Sequence, residues 1–245
     1  MAYEELKKII DESDNIVFLG GAGVSTESGI PDFRSETGLY SAKQKYGYPP
    51  ETLLSHSLFM KKPELFYKYY KENLICTEAK PNNAHYALAK LEEMGKLRAI
   101  ATQNIDNLHQ MAGSKNVYEL HGSVYRNNCM RCGKYFDLEA MLDLGEGVPK
   151  CPECGGLIKP DVVLYEEGLN DYVWGNAVKY ISRADVLIVG GTSLVVYPAA
   201  GLVNYYRGDK LVLINKSETA FDSHADLVIH DAIGKVLKEV VLDRY

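Results

Sequence analysis

Short runs of valine, isoleucine and leucine recur along the chain at strand length, separated by stretches whose apolar positions follow helical spacing. NIVFLG (15–20), KLRAIATQN (96–104), NVYELH (116–121), ADVLIVGG (184–191), KLVLIN (210–215) and ADLVIH (225–230) each predict a strand. Apolar residues occupy both faces of these runs, the pattern of a parallel sheet covered by helices on either side. Residues 83–94 predict a helix with Ala84, Ala87, Leu88 and Leu91 on one face, and residues 176–181 a second. The opening MAYEELKKIIDESDN reads as an amphipathic helix and lacks the apolar core of a secretion signal. Strand–helix alternation of this kind is a doubly wound α/β sheet.

Two segments interrupt the alternation. Residues 35–75 are tyrosine-rich and in part helical in pattern (LFMKKPELFYKYYKENL), and residues 124–160 carry paired cysteines with glycine and proline punctuation. Both read as insertions that together build a small domain. The expected organisation is a Rossmann-like domain of residues 1–34, 76–123 and 161–245, a helical module of 35–75 and a zinc-binding module of 124–160. The 245 residues suit one large domain with a satellite.

Composition narrows the function. With 46% apolar and 24% charged residues the chain is ordinary globular protein, and its apolar runs are far too short to span a membrane. A net charge of −6 argues against a partner bound by phosphate neutralisation, such as nucleic acid. Five cysteines are too few for a disulfide scaffold, which points to a reducing, cytoplasmic setting.

Four of those cysteines form Cys129-x2-Cys132 and Cys151-x2-Cys154, the spacing of a four-cysteine zinc ribbon. Two such knuckles close a tetrahedron of thiolates, which leaves no open position to activate water, so the zinc is structural. Cationic and anionic residues balance across 126–159, and no basic stripe supports a nucleic-acid ribbon. Cys76 is left over.

Candidate chemistry gathers at the carboxyl ends of the strands, where open α/β sheets bind ligands. The first strand runs into Gly20-Gly21-Ala22-Gly23-Val24-Ser25-Thr26, a turn that lets the backbone approach a pyrophosphate. Thr26 occupies the third glycine of the dehydrogenase fingerprint, and no acidic partner lies about 20 residues on, which disfavours a dehydrogenase. Gln103-Asn104-Ile105-Asp106 ends the second strand and suits recognition of a ribose or carboxamide, although Asn104 or Asp106 could equally cap a helix. Of six histidines, His121 alone closes a strand before a glycine, a place suited to a general base. His85 and His109 sit inside helical patterns, and His56 has no polar motif around it.

GAGVSTESGIPDFR, TQNIDNLH, YELHGS, the two CxxC pairs and GTSLVVYPA occur in an order that resembles the sirtuins, the NAD-dependent protein-lysine deacylases. The resemblance covers residues 14–232. It implies NAD as co-substrate, one structural Zn2+, and acyl-lysine proteins or peptides as partners, with neither nucleic acid nor membrane. By motif, Ala22, Thr26, Phe33 and Arg34 are similar to the loop that holds NAD. Gln103, Asn104, Ile105 and Asp106 resemble the ribose and nicotinamide pocket, and Thr192, Ser193, Asn215 and Ala232 the phosphate and adenosine side. His121 takes the place of the general base, with Asn104 as a second catalytic residue.

The mechanism implied has the acyl oxygen attack C1′ of the nicotinamide ribose as nicotinamide leaves. The base then activates a ribose hydroxyl, and O-acyl-ADP-ribose and free lysine result. An ADP-ribosyltransferase on the same scaffold is the alternative. The peptide is expected as an added strand between residues 163–167 and 194–197, touching Val163, Tyr165, Glu166, Glu167 and Val195. Where the family usually reads Phe-Gly-Glu, this chain has Tyr165-Glu166-Glu167, which implies a preference for basic residues around the target lysine. Tyr70 and Asn73 fall near the tyrosine and arginine that succinyl-selective members carry. The missing arginine implies acetyl and other neutral acyl groups as substrates.

Overall fold

The structure, a computed structural model, describes residues 2–31 and 42–245. All six expected strands form: β1 (Ile16–Gly20), β2 (Leu97–Thr102), β3 (Val117–Glu119), β7 (Val186–Gly190), β8 (Lys210–Ile214) and β9 (Leu227–Ile229). They pair in parallel in the order β3-β2-β1-β7-β8-β9, so the chain's direction across the sheet reverses between β1 and β7. Ligands bind beyond the carboxyl ends at such a switch point. The register sets those ends level: Gly20 lies beside Thr102 and Gly190, and Gly190 beside Ile214.

Alternation along the strands feeds two cores. Ile16, Phe18, Ile100, Ile188 and Val212 face α1 (Ala2–Glu12), α5 (Asn83–Glu93) and α9 (Ile233–Leu237). Val17, Leu19, Ala99, Leu187, Val189 and Leu213 face α8 (Asp171–Ile181) and the 3-10 segment Ala199–Tyr205. Helix α8 starts five residues earlier than the pattern predicts. The Asn170 carboxamide accepts the N–H groups of Tyr172 and Val173, a capping signal that outweighs Gly175.

The tyrosine-rich interruption folds into α2 (Pro50–Leu53), α3 (His56–Lys61) and α4 (Pro63–Asn73). Pro63 divides the last two, because the residue before a proline is driven out of helical geometry (Lys62, φ −140°, ψ 60°) while proline suits a first helical position. The cysteine-bearing interruption forms a three-stranded antiparallel sheet of β5 (Tyr135–Asp137), β4 (Gly122–Cys129) and β6 (Ile158–Val162), with α7 (Leu138–Leu142). Phe59, Phe66, Tyr67 and Tyr70 from the first segment pack with Phe136, Met141 and Ile158 from the second in one buried cluster. Tyr67 Oη donates to the Ile158 carbonyl across that junction.

Beneath the main sheet lies a buried pair of histidine rings. His85 and His109, the latter on α6 (Leu108–Met111), meet edge to face with centroids 4.8 Å apart. His85 Nδ1 accepts the Asn82 N–H as part of the capping box that starts α5. Burial depresses both, His85 to about 4 and His109 to about 3, the latter also through its neighbour. The folded chain therefore keeps two rings neutral that the unfolded chain protonates below about pH 6.5. Their contribution is fully present above that pH and is lost as pH falls toward 4, at up to about 2.7 kcal/mol per pH unit. Urea titrations at pH 7.5, 6 and 5 should show this loss, and His109→Leu should remove about half of this slope.

Candidate functional site

A cavity of about 280 Å³ opens at the carboxyl edge of the sheet, between its loops and the two inserted segments. Ala22, Gln103, Asn104, Ile105, Asp106 and His121 line one side, and Val163, Tyr165, Glu166 and Glu167 the other. Each residue arrives by a local constraint. Gly23 packs against Gly191 so closely that a Cβ on it would sit 2.7 Å from the Gly191 Cα, which brings the β1 and β7 loops into contact. The Gly23 N–H donates to the Gly191 carbonyl at 2.8 Å.

Ser25, fully buried, joins this loop to the turn after β2. Its hydroxyl donates to Asp106 Oδ2 at 2.6 Å and accepts from Asn104 Nδ2 at 3.0 Å. Asp106 Oδ1 accepts the Leu108 N–H at 3.0 Å, so the carboxylate both receives Ser25 and starts α6. Asn107 is left-handed (φ 62°), and the helix that Asp106 caps starts only at Leu108 and runs for a single turn. Burial raises the Asp106 carboxyl above its ordinary range, opposed by the Ser25 and Leu108 bonds. Sequence reading missed Ser25. Its signal was a hydroxyl inside a glycine loop, and its partners lie up to 81 residues away.

His121 stands between the two sheets. Its Nδ1 lies 3.0 Å from the Gln103 carbonyl. A carbonyl only accepts, so Nδ1 carries the hydrogen, and in the neutral form of the ring the lone pair is then on Nε2. The His121 carbonyl accepts the Val163 N–H at 3.0 Å, tying this residue to the opposite cavity wall.

The remaining candidates surround the cavity without lining it. Gln103 Nε2 donates to Thr192 Oγ1 at 3.2 Å, and Thr26 Oγ1 donates to the Gly23 carbonyl at 3.0 Å. Asn215 Nδ2 bonds the Ser217 carbonyl, and Ala232 N–H its neighbour Asp231. Glu27 Oε2 accepts the Gly234 N–H at 2.7 Å, linking the segment of Thr26 to that of Ala232. Ser193 belongs to the Gly191 loop, and Val195 is 68% exposed while its neighbours Val196 and Tyr197 line the cavity. Phe33 and Arg34 lie outside the described residues.

Two expectations change, while Glu166 keeps its place on the cavity wall: it is exposed there, and its Oε2 accepts the Ser57 N–H at 2.8 Å, at the start of α3. That bond also holds Glu166 at φ 77°, a left-handed conformation costly for any residue with a side chain. His56 is not isolated, because its Nδ1 lies 2.8 Å from Glu167 Oε1 while Lys159 reaches Glu167 Oε2 at 3.1 Å. Tyr70 and Asn73 do not line the cavity. Tyr70 is buried in the helical segment's core, and Asn73 Nδ2 is bonded to Tyr46 and to the Tyr69 carbonyl. No lysine or arginine lines the cavity among the described residues.

The four paired cysteines converge with all sulfurs within 4.8 Å of one another. Cys129 and Cys154 are 3.4 Å apart, Cys132 and Cys151 3.7 Å, close to the roughly 3.8 Å edge of a tetrahedron with zinc–sulfur bonds of about 2.3 Å. N–H groups of Cys132 and Arg131 pull the Cys129 thiol down to about 6. The Lys134 N–H acts likewise on Cys132, but contacts with Cys154 and Cys129 outweigh it and push that thiol up to about 12. Four thiols so close ionise together only around a cation, and the donor set fits zinc. Elemental analysis should find one zinc per chain. Cys151→Ser should lose it and lower the melting temperature; an unchanged melting temperature in a zinc-free chain would contradict a structural role.

Residues 21–198 match the Sir2 family. The chain is 66% identical over 237 residues to an NAD-dependent protein deacetylase of Clostridium acetobutylicum, covering 97% of each. It is 52% identical over 240 residues to one of Cutibacterium acnes, covering 98% of each. Among solved structures it is similar to a Sir2 protein with p53 peptide and NAD+ (TM-score 0.88, 41% identity, covering 99% of this chain and 98% of that one). It is also similar to one with deacetylated p53 peptide and 3′-O-acetyl ADP ribose (TM-score 0.89, 41% identity, covering 100% of this chain and 99% of that one).

Proposed function

The chain belongs to the Sir2 family, and from that premise we infer how its cavity performs an NAD-dependent deacetylation of protein lysines. It is an NAD-dependent protein deacetylase that uses NAD as co-substrate and acyl-lysine peptides or proteins as partners. The observation that carries the mechanism is one cavity wall holding His121, Asn104 and Asp106 while residues 163–167 form the opposite wall.

Ala22 and Thr26 bring the backbone of the β1 loop to the pyrophosphate, and Phe33 and Arg34, which follow in sequence, belong to the same NAD-binding motif. Gln103, Ile105 and Asp106 grip the nicotinamide ribose and carboxamide. Thr192, Ser193, Asn215 and Ala232 receive the phosphates and adenosine along the neighbouring strand ends. Asn104, its amide anchored on Ser25, orients the ribose. The acyl oxygen, held close by the groove, displaces nicotinamide at C1′, a step that proximity accelerates without a base. His121 Nε2 then takes a proton from a ribose hydroxyl, and its Nδ1–H to the Gln103 carbonyl holds the tautomer that makes this possible.

Val163, Tyr165 and Glu167 supply one side of the peptide groove and Val195 the other, with Glu166 bracing the wall through Ser57. The four thiols need surroundings that keep them reduced, which supports a cytoplasmic reading. No helix among the described residues is long and apolar enough to cross a membrane.

His121→Ala should abolish peptide deacetylation while leaving melting temperature close to the wild type; retained turnover would remove His121 from the base role. A group-transfer to protein side chains in place of deacetylation, read with labelled NAD, would favour the ADP-ribosyltransferase. Because no cation lines the described cavity, a buried succinyl carboxylate would be unpaired, at a cost of a few kcal/mol. Acetyl-lysine should therefore exceed succinyl-lysine in kcat/KM by about 100-fold or more. A preference for succinyl-lysine would place a cation in the acyl pocket.

A further inference from the structure

The pairing of β4 with β6 contains an irregularity beside His121. Ser123 stands opposite Asp161 and Asn127 opposite Pro160, so three residues of β4 (124–126) face no partner on β6. Bulges re-aim side chains next to active sites. Here the bulge delivers Val124 and Tyr125 to the cavity wall, and its Val124 N–H donates to the Ile105 carbonyl at 3.1 Å. The zinc-bearing sheet thus reaches the turn that holds Asn104 and Asp106 through this extra loop of strand.

Arg126 spans the neck of the bulge. Its Nε donates to Asp161 Oδ2 at 2.7 Å and its Nη1 to Glu119 Oε2 at 2.6 Å. Asp161 is the register partner of Ser123, and Glu119 is the last residue of β3, two before His121. Gly122 completes the crossing in a left-handed conformation (φ 74°), where any Cβ would overlap the Asp161 carbonyl. One guanidinium on β4 therefore ties β3, which leads into His121, to β6.

The contact differs from an ordinary surface ion pair, which contributes little. The Glu119 side chain is 8% exposed, and its Oε1 is buried with no hydrogen-bond partner. Without Arg126 that carboxylate would be buried and uncompensated. A planar guanidinium also fixes two acceptors at set directions, which a point charge does less well.

We propose that Arg126 is a positioning residue for the deacylation half of the reaction, setting the bulge at 124–126 and the strand ends that carry His121. This rests on the base role of His121 given above. The experiment compares wild type, Arg126→Met, Arg126→Lys, the double variant Glu119→Gln/Arg126→Met and His121→Ala. Each is measured for peptide deacetylation, for nicotinamide exchange into NAD and for melting temperature.

Arg126→Met should lower kcat for deacetylation about 30-fold and leave exchange, which needs no base, within about threefold. Arg126→Lys should recover most of that loss. The double variant, free of the stranded carboxylate, should regain melting temperature without regaining kcat. Parallel loss of exchange and deacetylation in Arg126→Met, or recovery of kcat in the double variant, would overturn the proposal. If His121→Ala loses exchange as fully as deacetylation, the base assignment is what fails, and Arg126 is then judged by the double variant's kcat against its melting temperature.

Discussion

The site depends on one hydroxyl. Ser25 is buried where the loop after β1 meets the turn after β2, and its bonds to Asp106 and Asn104 are what join them. A buried carboxylate and a buried amide each need a partner, and Ser25 supplies both by donating to one and accepting from the other. Strand register sets Gly20 and Thr102 side by side, but it fixes only the backbone. The hydroxyl converts that adjacency into a defined placement of side chains. From there the order propagates: Asp106 starts α6, Ile105 receives Val124, and Gln103 receives His121.

The opposite wall has a different origin. Zinc-ribbon thiols and the aromatic cluster of Phe59, Phe66 and Tyr67 make a second rigid body from segments far apart in sequence. Its approach to the sheet involves the Val163 N–H on the His121 carbonyl, the Val124 N–H of the bulge on the Ile105 carbonyl, and the Arg126 bond to Glu119 of β3. A co-substrate and a peptide meet where these bodies face each other. Structural zinc therefore acts on catalysis only through shape, as one support of the wall that presents the peptide.

Much of this was legible before any coordinates. The six parallel strands announce themselves because residues buried on both faces leave uninterrupted aliphatic runs, as in VLIV before Gly190. CxxC spacing announces the metal site because the ligands are local in pairs. The antiparallel sheet was not legible: β5 has three residues and its pairing is decided by β4 and β6, not by its own pattern. Ser25, Glu167 with His56, and Arg126 escaped for the same reason, since a polar residue's role lies in partners the sequence does not place beside it. Glu166 has a second tie that its sequence neighbours do not announce, the Ser57 N–H at the start of α3, while it remains on the cavity wall. Tyr70 and Asn73, the residues first tied to acyl preference, lie away from the cavity, and no lysine or arginine lines it among the described residues.

The Ser25 hydroxyl organises the reaction centre rather than merely filling space. Removing it leaves Asp106 and Asn104 short of one partner each, a loss of about 1–3 kcal/mol per group in placement and solvation. Single-turnover nicotinamide release by Ser25→Ala, with saturating NAD and acetyl-lysine peptide, measures this directly. Release should slow by about 100-fold with zinc content unchanged. Release at the wild-type rate would contradict an organising role for this hydroxyl.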